Sequence, residues 1–142
     1  MTAKEWLNRA YKIDGRIKVL EAEKRELITA AARCTAGVGE VSVKTSHGNG
    51  SERAFVDYAE SMKRYEKRID KLLEKLYQIK SEVVTAISQV ENPIYQQLLI
   101  LRYLQYKKWE DIAIEIHFDF DYVRGRLHGK ALKKIGELLK LT

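Results

Sequence analysis

The chain has 142 residues, 45% of them hydrophobic and 32% charged, too apolar for a disordered segment and too polar for a membrane protein. No apolar run approaches the ~20 residues that a membrane-spanning helix needs, and the opening MTAKEWLNRAYKIDGRIK lacks the apolar core of a signal peptide. A net charge of +6, from 26 Lys and Arg against 20 Asp and Glu, suits a polyanionic partner but informs only through where the charges fall.

The first third reads as one long helix. Trp6, Ala10, Ile13, Ile17, Leu20, Lys24, Leu27 and Ala31 alternate spacings of four and three, which places them on one stripe. Lys24 is the charged intrusion and Gly15 the weak helix former. Cys34, the single cysteine, permits no internal disulfide, reads as a small apolar residue and fits a reducing cytoplasm.

Residues 37–52, GVGEVSVKTSHGNGSE, break the pattern with four glycines and are expected to form a loop, with a short extended piece at Val41–Val43. Ser51 is expected to cap the next helix, because its hydroxyl can accept from an otherwise orphan amide. The second long helix has the cleaner seam: Phe55, Tyr58, Met62, Tyr65, Ile69, Leu72, Leu76, Ile79, Val83, Ala86 and Val90. At 1.5 Å per residue this rod would be roughly 54 Å long, too long to bury its stripe on a small core. A partner helix of similar length is required. The first helix supplies it, either folded back as an antiparallel hairpin or paired between chains. The charges beside the seam, Lys63 to Lys75 with their interleaved acids, read as a solvated face. Residues 1–90 are therefore expected to form a helical hairpin or coiled coil, with a separate domain at 91–142.

The only proline opens that domain. Asn92 as cap and Pro93 at the first helical position mark a helix start, because proline's missing N–H is not needed there. Ile94, Leu98, Leu101 and Leu104 form its buried stripe, with Arg102 on a flank. A short helix then runs from Trp109 to Ile116 with Ile112, Ala113 and Ile116 inward. Phe118 is expected to enter the core from the turn, and Asp119 to cap a last helix that buries Val123, Leu127, Ala131 and Ile135. The charge divides sharply: residues 109–121 hold five carboxylates and no Lys or Arg, whereas residues 122–142 hold six bases against Glu137.

These residues carry a resemblance. Asp111-Ile112-Ala113, Ile116, His117-Phe118-Asp119, Val123 and Leu127 resemble the helix-turn-helix of sigma-70 region 4 and of response regulators. LLILRYL resembles the helix leading into that motif in sigma factors. YVRGRLHGKAL resembles the matching segment of small phage-encoded transcription regulators, including late-gene activators of Gram-positive phages. In that group a coiled-coil half precedes the sigma-region-4-like end. The match covers about 43 residues, 93–135; the N-terminal half matches in architecture alone. His117 stands where the family usually has glycine, and Phe120 and Asp121 stand where it often has Ser, Thr or basic residues.

The resemblance implies an all-α chain: a long antiparallel hairpin followed by a three-helix helix-turn-helix that binds double-stranded promoter DNA in a bacterial host cytoplasm. RNA polymerase is a second implied partner, and self-association through the coiled coil a third expectation. With Val123 and Leu127 inward, the opposite face at 100° per residue holds Asp121, Gly125, His128 and Gly129. Arg124 on its shoulder is the candidate base reader, since arginine can donate two bonds to guanine. Asp121 can accept from cytosine or orient Arg124 or Arg126. Lys107, Lys108, Arg126, Lys130, Lys133 and Lys134 are candidate phosphate contacts, with Tyr122 as a hydroxyl donor. Gly125 and Gly129 each cost about 1 kcal/mol against alanine in a helix; close backbone approach to DNA, close packing on a partner protein, or simple tolerance in a helix stabilised elsewhere would each account for them.

No phosphate-binding glycine loop is present, because GVGEVS lacks the GK[ST] ending. His47, His117 and His128 lack metal-ligand spacing with Cys34 or each other. Neither enzyme activity nor a cofactor or metal is expected. Two alternatives share the same features: a DNA-packaging subunit resembling small terminases, and a protein-interaction adapter that does not touch DNA.

Overall fold

A computed structural model describes residues 1–41 and 48–141, with side chains described outside 34–51. Among the described residues every regular element is helical, and no helix is long and apolar enough to cross a membrane. The chain falls into two compact units, Met1–Asp14 with Lys75–Thr142, and Gly15–Glu74. This division differs from a cut at residue 90, because the first residues belong with the C-terminal helices.

The expected single N-terminal helix is interrupted. Helix α1 spans Ala3–Leu7 and α2 spans Arg9–Val41. Thr2 and Glu5 form a capping box: the Glu5 amide donates to Thr2 Oγ1 at 3.2 Å, and the Thr2 amide donates to Glu5 Oε2 at 2.9 Å. That box fixes a start one turn ahead of the long helix and leaves Asn8 between the two. Leu7, the last residue of α1, is fully buried.

Helix α3 spans Gly48–Ser88. With α2 ending at Val41, the expected loop 37–52 is helical at both ends. Ser51 lies inside α3 and so cannot be its cap. The expected extended piece falls outside the described residues except for Val41, which is helical, and so do His47 and the side chain of Cys34. In the Gly15–Glu74 unit, Ile17 and Ile69 are buried, while Leu20, Lys24, Leu27, Tyr58, Met62, Tyr65 and Leu72 are half-buried. The charged intrusion in the stripe is accommodated by an ion pair, Lys24 Nζ to Glu66 Oε1 at 3.5 Å. Phe55 is 70% exposed rather than on the seam; it lies toward the start of α3, before the half-buried positions begin.

In the other unit, Ala10, Ile13, Leu76, Ile79, Val83, Ala86 and Val90 are buried. Arg9 donates to Glu82 at 2.9 Å and lies 4.5 Å over the Trp6 ring. Asn92 caps α4, Pro93–Leu99, by accepting from the Ile94 amide at 2.9 Å. The helix continues as a π-helical stretch, Ile100–Leu104, where the Gln105 amide reaches back five residues to Ile100. Leu99 of α4 and Tyr103 of the π-helical stretch are buried in addition to the expected Leu98 and Leu101. Tyr106, with φ 58°, ends the run in the left-handed region.

Helix α5, Trp109–Ile116, buries Ile112, Ala113 and Ile116. His117 caps it at φ 59°, ψ 44°, so the left-handed turn expected there is made without glycine. Phe118 does not enter the core. It is 39% exposed, and its ring centroid lies 5.9 Å from that of Tyr122; Ile112, Val123 and Ile135 are fully buried without it. The last helix is continuous: α6, Phe120–Tyr122, a π-helical stretch Val123–Leu127, and α7, His128–Leu138. Asp119 occupies the cap position, but its side chain makes no capping bond. Its carbonyl instead accepts from the Val123 amide at 2.9 Å. Val123, Leu127, Ala131 and Ile135 form the inner face. Helix α1 closes over α7: a Cβ at Gly136 would sit 4.0 Å from that of Ala3.

Candidate nucleic-acid interface

From Phe120 to Lys134 the exposed residues of the last helix are Asp121, Arg124, Gly125, Arg126, Gly129, Lys130, Lys133 and Lys134, with Glu137 and Leu138 exposed at its end. A Cβ at Gly125 or Gly129 would meet nothing within 4 Å. Neither glycine is there to let another part of the chain come close. Arg126, Lys130 and Lys133 follow one another at four and three residues, which lines them along one side of the helix. Lys134 is 3.9 Å from Glu137.

Arg124 has two neighbours on its own helix. Its guanidinium lies 5.2 Å over the Phe120 ring and 4.0 Å from Asp121 Oδ1. Both come from the first turn of the same helix. Phe120 and Asp121, which depart from the resembled pattern, are therefore the two residues that orient the candidate reader. A pair this exposed is worth well under 1 kcal/mol in stability; its effect is on where the arginine points.

Three expected contacts sit elsewhere. Lys107 is half-buried and pairs with Glu115 of α5, so its charge is already engaged. Lys108 is exposed, but at the start of α5 rather than on the last helix. Tyr122 is half-buried beside Phe118.

His128 corrects the helical-wheel expectation outright. It is 8% exposed and its Nε2 lies 2.6 Å from the Tyr103 hydroxyl. The Trp109 ring centroid lies 4.5 Å from its own. The reason is the π-helical stretch just before it. There the His128 amide bonds back to the Val123 carbonyl, five residues away, so each residue turns less than the 100° of an α-helix. By His128 the accumulated lag has brought an outward position round to the face of Leu127 and Ala131.

Burial first, then the positive charges of Lys4 and Arg102, push the His128 pKa down to about 4. Burial pushes that of Tyr103 up to about 12, against a smaller opposing effect of Arg102. The pair is thus a neutral imidazole and a neutral phenol sharing one hydrogen bond. Arg102 caps the cluster, its guanidinium 4.5 Å over Trp109 and donating to the Lys107 carbonyl at 2.9 Å. Apolar spacing alone could not single out this polar cluster, since its members come from three elements.

Among the described residues no group of three or more His, Cys, Asp or Glu side chains could hold a metal ion. No protein-family model matches the chain, and neither does any curated protein or solved structure.

Proposed function

We propose that this protein is a DNA-binding transcription regulator of the kind bacteriophages encode, with α5 and the Phe120–Leu138 helix acting as a helix-turn-helix. The observation that carries the reading is the two-sidedness of that last helix. Val123, Leu127, Ala131 and Ile135 are buried on one side, while Arg124, Arg126, Lys130 and Lys133 are exposed on the other beside two uncovered glycines. In this reading Arg124, steered by Phe120 and Asp121, meets a base edge in the major groove. Arg126, Lys130 and Lys133 contact phosphates and set the register. Bare backbone at Gly125 and Gly129 allows close approach to the duplex. His128 contributes by packing the helix, not by touching DNA.

The long helices are read as an antiparallel hairpin, because Lys24 and Glu66 stand at nearly equal distances from the gap between Val41 and Gly48. The hairpin is the proposed site of self-association and, with α5, of contact with RNA polymerase. An adapter role is the second reading. It is favoured by two exposed apolar side chains, Ile114 on α5, 72% exposed, and Phe118 in the turn after it, 39% exposed.

The test is selection from a random duplex library, followed by titration of the selected duplex over a salt series. Lys133→Ala is expected to weaken all sequences alike and to lower the salt slope by about one. Arg124→Ala is expected to relax preference at one base pair, a loss of about 1–3 kcal/mol. Binding that is absent, or that ignores salt, rules out the DNA-reading role and leaves the adapter.

A further inference from the structure

The Gly15–Glu74 unit carries a basic surface of its own. On α3, Arg64, Lys67, Arg68 and Lys71 recur at spacings of three, one and three, so they share one flank of the helix, to the side of the Tyr58–Met62–Tyr65–Ile69 seam. All four are exposed, and none makes an ion pair among the described residues. Among the neighbouring acids, Glu66 is turned to Lys24 and Asp70 falls off this flank, while Glu60 and Glu74 lie on it at the two ends of the run. Arg64 and Arg68, one turn apart, border a shallow concavity with the half-buried Ser61 and Tyr65. Arg64 donates to Ser61 Oγ at 3.2 Å.

Alternating charge signs mark a solvated, ion-paired flank, and here four cations run together between the acids Glu60 and Glu74 at either end. This flank presents four cations in a line of roughly 10 Å at 1.5 Å rise per residue, with two hydroxyl-bearing side chains at its edge. Arginines match phosphate oxygens with paired donors, lysines add point charge, and Ser and Tyr hydroxyls supply neutral donors to the same oxygens. A linear row of cations suits a linear array of phosphates better than a single small anion.

We infer that Arg64, Lys67, Arg68 and Lys71 form a second, sequence-independent contact to the phosphate backbone of double-stranded DNA, on α3. It does not depend on the helix-turn-helix reading of the last helix.

The experiment uses the full chain, a fluorescein-labelled random-sequence duplex and anisotropy over a salt series. A variant with Arg64→Gln, Lys67→Gln, Arg68→Gln and Lys71→Gln is compared with a charge-matched control carrying Arg16→Gln, Arg25→Gln, Arg33→Gln and Lys63→Gln, all exposed positions in the same unit. Glutamine keeps helix propensity close to that of Lys and Arg, and circular dichroism checks that both fold. At about 0.9 per phosphate contact, the stripe variant is expected to lose roughly three to four from the salt slope and at least about tenfold in affinity. The control is expected to lose much less. Equal losses in both variants would mean a net-charge effect and overturn the inference, as would an unchanged stripe variant. A stripe variant that loses binding to anionic phosphatidylserine vesicles but not to duplex also overturns it. Arg124→Ala with Arg126→Ala separates the two readings: loss in the stripe variant with none in this pair supports the α3 contact and removes the helix-turn-helix.

Discussion

His128 is a basic side chain held neutral, and that has a pH consequence. Its pKa falls from the ordinary 6.5 to about 4 on folding, so between those values the unfolded chain binds a proton that the folded chain refuses. Stability contributed by the neutral form is fully present above pH 6.5 and is lost as pH drops through that window, by up to about 3 kcal/mol. Urea unfolding of wild type and His128→Gln from pH 7 to pH 4 checks this. The difference between the two profiles should vanish or reverse toward pH 4, because glutamine can still accept from Tyr103 but does not titrate. At His117 the left-handed backbone, φ 59°, carries a cost of about 1–2 kcal/mol for a side chain with a Cβ. His117→Gly is therefore expected to raise stability by about 0.5–1 kcal/mol, measured as a higher Tm. Neither side chain's position follows from residue type: histidine is as ordinary on a surface as in a core. The His117 turn could be placed from its resemblance to a pattern with glycine, whereas the burial of His128 could not.

At the scale of elements, the last helix carries two residues that lower its own stability. Gly125 and Gly129 are exposed and a Cβ at either would meet nothing, so alanine should add about 1 kcal/mol at each from helix propensity. Gly125→Ala with Gly129→Ala is expected to raise the Tm while weakening duplex binding. A gain in stability with unchanged binding would mean that the glycines are merely tolerated. The inner stripe of this helix, Val123, Leu127, Ala131 and Ile135, was legible because four-residue steps survive small changes of pitch. The outer face was less legible. A π-helical stretch changes the rotation per residue, and i→i−5 bonding depends on packing against neighbours, which no local spacing encodes. The same holds for Ile100–Leu104, where Tyr103 joins the core beyond the expected stripe. Ends of helices were read well where a side chain makes the bond, as at Asn92. At Asp119 the start was also read correctly, but the bond there comes from the backbone carbonyl and not from the side chain.

At the scale of the whole chain, residues far apart in sequence complete one core. Leu7 is fully buried together with Leu98, Leu99, Ile112 and Ile135, and α1 lies against α7 near Gly136. Leu7→Ala is expected to cost about 2–5 kcal/mol, the range for a large-to-small change in a packed core. The loss should appear in thermal unfolding followed by near-ultraviolet signals of Trp109 and Tyr103, although residue 7 is remote from both in sequence. A variant unfolding like wild type would mean that the C-terminal helices are stable without their N-terminal cover.

By itself the sequence determined that the chain is helical, which stripe of each long helix turns inward, where Pro93 starts a new element, and where basic charge accumulates. Those features are set by periodicity, by proline's missing N–H and by composition, all of them local. Tertiary structure alone decided that α1 closes over α7, that Phe118 stays out and that His128 goes in. Each of these depends on what happens to lie opposite a side chain once remote segments pack. That is a property of the assembled core, not of spacing along the chain.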